Sequence, residues 1–152
     1  MIYKILFKVL KLIIKKHLFK NKIPIQESGT VTYQRLMYTF KDKMKIKDVF
    51  ISDKNYKTLN IESAQVFLKN TLVDLNKYVA ETYDCDNFSF SLMGSASNII
   101  PGFAFGIAWV NTPEGKHAMN VFVDEKFEVY YIEPQNDTIT QSTEIKPYLI
   151  II

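Results

Sequence analysis

The spacing of apolar residues changes along the chain, and each change marks a new kind of element. In the opening run MIYKILFKVLKLIIKKHLF, Lys4, Lys8, Lys11 and Lys15 recur at helical spacing, with Ile2, Leu6, Val9 and Ile13 on a neighbouring stripe. Residues 1–22 are therefore expected to form a basic amphipathic helix, set apart from a domain over residues 23–152. A polar join at Asn21–Thr30, containing Pro24 and Gly29, separates the two. No period fits Val31–Leu59, where short strands and loops are expected. From Asn60, a good N-cap followed by Glu62 in the first turn, the pattern turns helical. Ile61, Ala64, Val66, Phe67, Leu72, Leu75 and Val79 carry it onward, in two pieces broken near Asn70.

The last third alternates instead. Phe103, Phe105, Ile107 and Trp109 stand on one face of a run whose other face is Ala104, Gly106 and Ala108, which predicts a strand packed on both sides. The NTPEG run at Asn111–Gly115 is a turn. His117–Asp124 and Phe127–Pro134 then form a β-hairpin. Setting Val123 opposite Phe127 places Val121 against Val129 and Met119 against Tyr131, keeping one face apolar. The same register sets His117 opposite Glu133 and leaves a three-residue loop, Asp124-Glu125-Lys126. Helices first and an antiparallel sheet afterwards predict an α+β domain.

Composition narrows the function. A hydrophobic content of 47% in 152 residues supports one packed domain. A net charge of +3, without arginine-rich or zinc-finger spacing, gives no reason to expect nucleic acid. The single cysteine cannot form an internal disulfide, and with two histidines it excludes the usual structural zinc sites. The lysines of the first helix would each cost roughly 2.5–3.5 kcal/mol near mid-membrane, so no transmembrane span is expected, and no signal peptide is visible. That helix instead suits packing on its own domain, a protein partner or an anionic membrane surface, and His17 on it is expected to be solvated.

Candidate chemistry begins at Cys85. Asp84 is a good N-cap, and Phe88 and Leu92 continue a short helix expected to end by Gly94. In the first turn, unpaired N–H groups and the positive helix end favour a thiolate and can donate to a developing oxyanion. A carboxylate at Glu133 can fix the tautomer of His117 and leave its other nitrogen free to reach Cys85, if the helix packs across that face.

The runs YDCDNFSFSLMG, FAFGIAWV, KHAMNVFVD and VYYIEPQND, spanning about Tyr78 to Asp137, resemble the papain-like cysteine-protease domain of a mushroom (Marasmius-type) agglutinin and its phage and bacterial relatives. Bacterial transglutaminase-like cysteine peptidases look more distantly similar. The resemblance implies a papain-like fold, with N-terminal helices on a small antiparallel sheet, and a catalytic triad of Cys85, His117 and Glu133. It also implies calcium-dependent activation, for which Asp84, Asp86 and Asp137 are the oxygen donors at hand. A second aspartate is common in the family where this chain has Asn87. Asn120 and Gln135 are candidate substrate-binding amides. The expected activity is that of a cysteine hydrolase acting on proteins or peptides through a thioester, with cell-wall peptide amidase or transglutaminase-like acyl transfer as alternatives on the same triad. From a different class, a non-enzymatic interaction module using the basic helix is the competing expectation.

Overall fold

The computed structural model describes residues 25–152, so the basic helix expected over residues 1–22 lies outside the described residues. Strand β1 (Gly29–Thr32) leads directly into α1 (Tyr33–Met37) and a π-helical turn (Tyr38–Lys43). Strands β2 (Asp48–Phe50) and β3 (Asn55–Thr58) follow, then α2 (Ile61–Lys69) and α3 (Cys85–Ile99). The chain finishes in β4 (Phe105–Thr112), β5 (Gly115–Val123), β6 (Val129–Glu133), β7 (Thr138–Thr140) and β8 (Pro147–Ile151). Among the described residues, no helix is long and apolar enough to cross a membrane.

Strands β1 and β3 make a two-stranded antiparallel sheet. The other six form one sheet in the order β2-β8-β4-β5-β6-β7, in which β2 and β8 run parallel and the remaining neighbours antiparallel. The expected papain-like α+β plan, with N-terminal helices on a small antiparallel sheet, is corrected here. Strands both precede and follow the helices, and the main sheet is six-stranded and mixed. The patternless stretch before Asn60 hides this because β2 finds its partner at the far end of the chain, Asp48 opposite Leu149.

Strand alternation divides the interior into two layers. On one face Leu36, Phe40, Val121, Tyr131 and Ile150 pack together; on the other, α2 and α3 bring Phe67, Phe88 and Leu92 against Phe122 and Ile132. Each fully buried side chain of this size contributes roughly 1.5–3 kcal/mol. The same burial carries α3 through Gly94, where a shorter helix was expected, because Ala96 and Ile100 still have the sheet to pack on. The opposite happens after α2. Asn70 closes the helix and the Thr71 hydroxyl donates back to the Leu68 carbonyl, leaving Leu72, Leu75 and Val79 exposed in an irregular connection instead of on a second helical piece.

The small face of β4 has a specific use. A Cβ at Gly106 would lie 1.9 Å from the Ile151 carbonyl oxygen, so only glycine lets β8 sit where it does. Gly106→Ala should destabilise the domain by about 3 kcal/mol, at the upper end of ordinary overpacking. A urea denaturation midpoint equal to that of the parent would contradict this close approach.

Candidate functional site

Helix α3 starts at Cys85, capped by Asp84, and Asn87 completes the capping box as its Oδ1 accepts from the Asp84 N–H at 3.1 Å. Asn87 thus has a local structural task. Cys85 is a free, half-buried thiol whose carbonyl accepts from the Ser89 hydroxyl at 2.9 Å.

One side chain ties α3 to the sheet. The Asn120 Nδ2 donates to the carbonyls of Ser89 and Gly106, each at 3.0 Å, and the residue is fully buried. The nitrogen of the amide considered for substrate binding is therefore spent on joining α3, β4 and β5, while its Oδ1 is buried without a partner. Phe90 meets Trp109 edge-on at 6.1 Å, while Ile100 and Phe103 pack with Phe105 and Phe122, so α3 runs with its start toward the His117 end of β5.

His117 and Glu133 do come together, with Nε2 and Oε2 2.6 Å apart. Their route differs from the expected one. Val123 pairs with Val129 and Val121 with Tyr131, so the register is displaced by two residues and the histidine reaches the carboxylate diagonally. The loop is longer because Asp124 organises it: its Oδ1 accepts from the N–H groups of Lys126 and Glu128, while Phe127 takes a left-handed φ of 64°. Parity was preserved and exact pairing was not. The other Glu133 oxygen accepts from the Gln135 N–H at 3.3 Å, so Gln135 contributes backbone to this arrangement.

The third expected member is not joined to the pair. Among the described residues no hydrogen bond links the Cys85 thiol to the His117 ring. Alternation explains this: α3 packs on the face bearing Asn120 and Phe122, whereas His117 shares parity with Met119 and Val121 on the opposite face. Nor do the candidate calcium ligands gather. Among the described residues no group of three His, Cys, Asp or Glu side chains is placed to hold a metal. Asp86 is held above the ordinary carboxylate range chiefly by its hydrogen bond with Asp84. Asp137, in the turn after β6, is pushed up to about 6 by burial and by the charge of Asp74.

Sequence reasoning assigned Trp109 to a strand face and passed over its surroundings. At that end of the sheet Trp109 is half-buried, Phe90 is 53% exposed, and the Lys116 ammonium stands 5.9 Å from the Tyr148 ring. The available signal was the chain's lone tryptophan ending an apolar run just before a turn.

The fold is that of known lectin chains. The structure described as the PSL1a–E64 complex superposes with a TM-score of 0.72 at 22% identity, over 83% of this chain and 52% of that one. Polyporus squamosus lectin, described as bound to the human-type influenza-binding epitope Neu5Aca2-6Galb1-4GlcNAc, gives 0.70 at 22% identity, over 83% and 50%. This chain spans about half the length of either. Residues 56–139, more than half of the sequence, match the family described as Agglutinin C-terminal, and the chain belongs to that family. Among curated proteins no relative matches the sequence.

These findings correct the earlier identification. The names they carry are those of an agglutinin and a lectin, and none is that of a peptidase, so the assignment to a papain-like cysteine-protease domain gives way to the agglutinin C-terminal family and the fold of these lectin chains. The expected cysteine hydrolase, its amidase and acyl-transferase alternatives, and protein or peptide substrates are corrected with it.

The hydrogen bond that the Glu133 carboxylate accepts from the His117 ring raises the His117 pKa above the ordinary histidine value, against the opposing effect of burial. A raised value in the folded state stabilises the protein fully below the unfolded pKa of about 6.5 and loses that contribution as pH rises through the folded value. Glu133→Gln should move the His117 imidazole titration, followed by proton NMR, back toward the ordinary value and remove about 1 kcal/mol of acid-side stability. An unmoved titration midpoint would show that the pair does not form in solution.

Proposed function

We propose that this chain is a carbohydrate-binding module of the agglutinin kind, with its sugar-facing surface at the end of the main sheet that bears Trp109, Phe90, Tyr148 and Lys116. One observation carries the reading: an aromatic pair, Phe90 against Trp109, is left partly in water beside an exposed lysine on a chain of agglutinin family. Aromatic faces give a sugar ring's C–H groups a flat apolar support, and a few polar groups around such a face set orientation. Lys116 adds a cation for a carboxylate-bearing sugar, the class to which the epitope on Polyporus squamosus lectin belongs. Cys85, His117 and Glu133 are proposed to border this surface, where the joined imidazole and carboxylate stiffen the start of β5 beside Lys116.

A glycan array carrying sialylated and neutral lactosamine chains tests the reading. The full chain should retain a subset of them, and Phe90→Ala and Trp109→Ala should each weaken retention about tenfold, equivalent to about 1.4 kcal/mol, with circular dichroism unchanged. Parallel incubation with the thiol-directed epoxide E64, followed by intact mass, sets the opposing outcome. Stoichiometric addition at Cys85 that is lost in His117→Ala, with no glycan retained, would overturn the proposal.

A further inference from the structure

On the face of the sheet away from α3, a cleft of about 450 Å³ opens between the π-helical turn, the β5–β6 loop and the connection from β7 to β8. That volume lies within the range of small-molecule sites. Met44, Phe127 and Val129 give it an apolar side, and Gln141 and Ser142 a polar one.

Three independent features converge on it. Tyr131 contributes to the wall and is 1% exposed, yet its buried hydroxyl has no hydrogen-bond partner. Such an unpaired buried donor costs stability and calls for a reason. Phe127 holds a left-handed backbone, uncommon for a bulky side chain, with the Arg35 guanidinium 4.5 Å above its ring. The third is the π-helical turn, whose hydrogen-bonding pattern is costly in isolation and concentrates at functional sites.

We infer that this cleft binds a small uncharged molecule carrying an acyl or amide carbonyl beside an apolar group, with Tyr131 donating to the carbonyl. Charge at the rim does not select an ion: Lys43 is opposed by Glu128 and Glu144, and the Glu128 carboxylate already accepts from the Gln141 amide at 3.1 Å. An apolar group on Met44 and Phe127 would set a neighbouring carbonyl against the wall that Tyr131 forms. Burial pushes the Tyr131 phenol up to about 12, so it remains a donor throughout the physiological range. The inference stands independently of the sugar-facing surface at Trp109, which lies elsewhere on the sheet.

Protein-observed NMR titration of the full chain, with N-acetylleucinamide and separately with N-acetylglucosamine, tests it. At least one probe should bind saturably, with shifts centred on Met44, Phe127, Tyr131 and Gln141, while 3-methylbutan-1-ol, which lacks the carbonyl, should not. Tyr131→Phe should weaken binding about fivefold, the value of one neutral hydrogen bond. Without ligand, the same variant should melt at or above the parent temperature, because deleting an unpaired buried hydroxyl removes a penalty. Absence of saturable shifts with both probes, unchanged affinity in the variant, or a lowered melting temperature would each overturn the inference.

Discussion

The Asn120 amide is the contact on which the arrangement of this domain turns. Its two donated hydrogen bonds reach a carbonyl in α3 and a carbonyl in β4 from a position inside β5, with no access to water. Its two N–H groups are satisfied while its buried Oδ1 has no partner, so this amide fixes position at a cost in stability. Apolar packing of Phe88, Leu92 and Ala96 is non-directional and by itself leaves the position of α3 along the sheet less sharply defined. The paired donors remove that freedom. Everything placed by the start of α3, including Cys85 and Phe90, depends on this register.

Around the junction, close backbone approach and side-chain size act together. Gly106 lends its carbonyl to Asn120 and, by lacking a Cβ, admits the Ile151 carbonyl on its other side. One residue thereby couples the helix contact to the pairing of β4 with β8. Strand β8 in turn carries β2 along the sheet's edge, so a segment in the first third of the sequence is held by residues 149–151.

What could be read from sequence follows from the distance over which each feature is decided. The Asn60 cap, the Asp84 cap and the two-faced alternation of Phe105 to Trp109 depend on neighbours a few residues away, and all three are present. Hairpin parity was also readable, because a slip by one residue would have buried Glu128, and the alternation forbids it. The loop length was not: Asp124 can hold a five-residue turn with its own carboxylate, a device that leaves no glycine as a signal. Strand β2 was invisible because its hydrogen-bond partner is remote, and Leu72, Leu75 and Val79 imitated helical spacing while lying in an irregular connection. For the site, a His–Glu contact was foreseeable from the apolar pairs beside it. The face on which α3 would pack was not, since either face of β5 offers apolar side chains.

That last point bears on function through geometry. Helix α3 packs on one face of the sheet and His117 belongs by parity to the other, and among the described residues no hydrogen bond joins the Cys85 thiol to the His117 ring. Recognition at the Trp109 end does not depend on such a bond. Phe90, Trp109, Lys116 and Tyr148 are held by elements that already pack or pair with one another, so a ligand there meets a surface set in place by folding itself. Preorganisation of that kind lowers the ordering cost of binding a ligand.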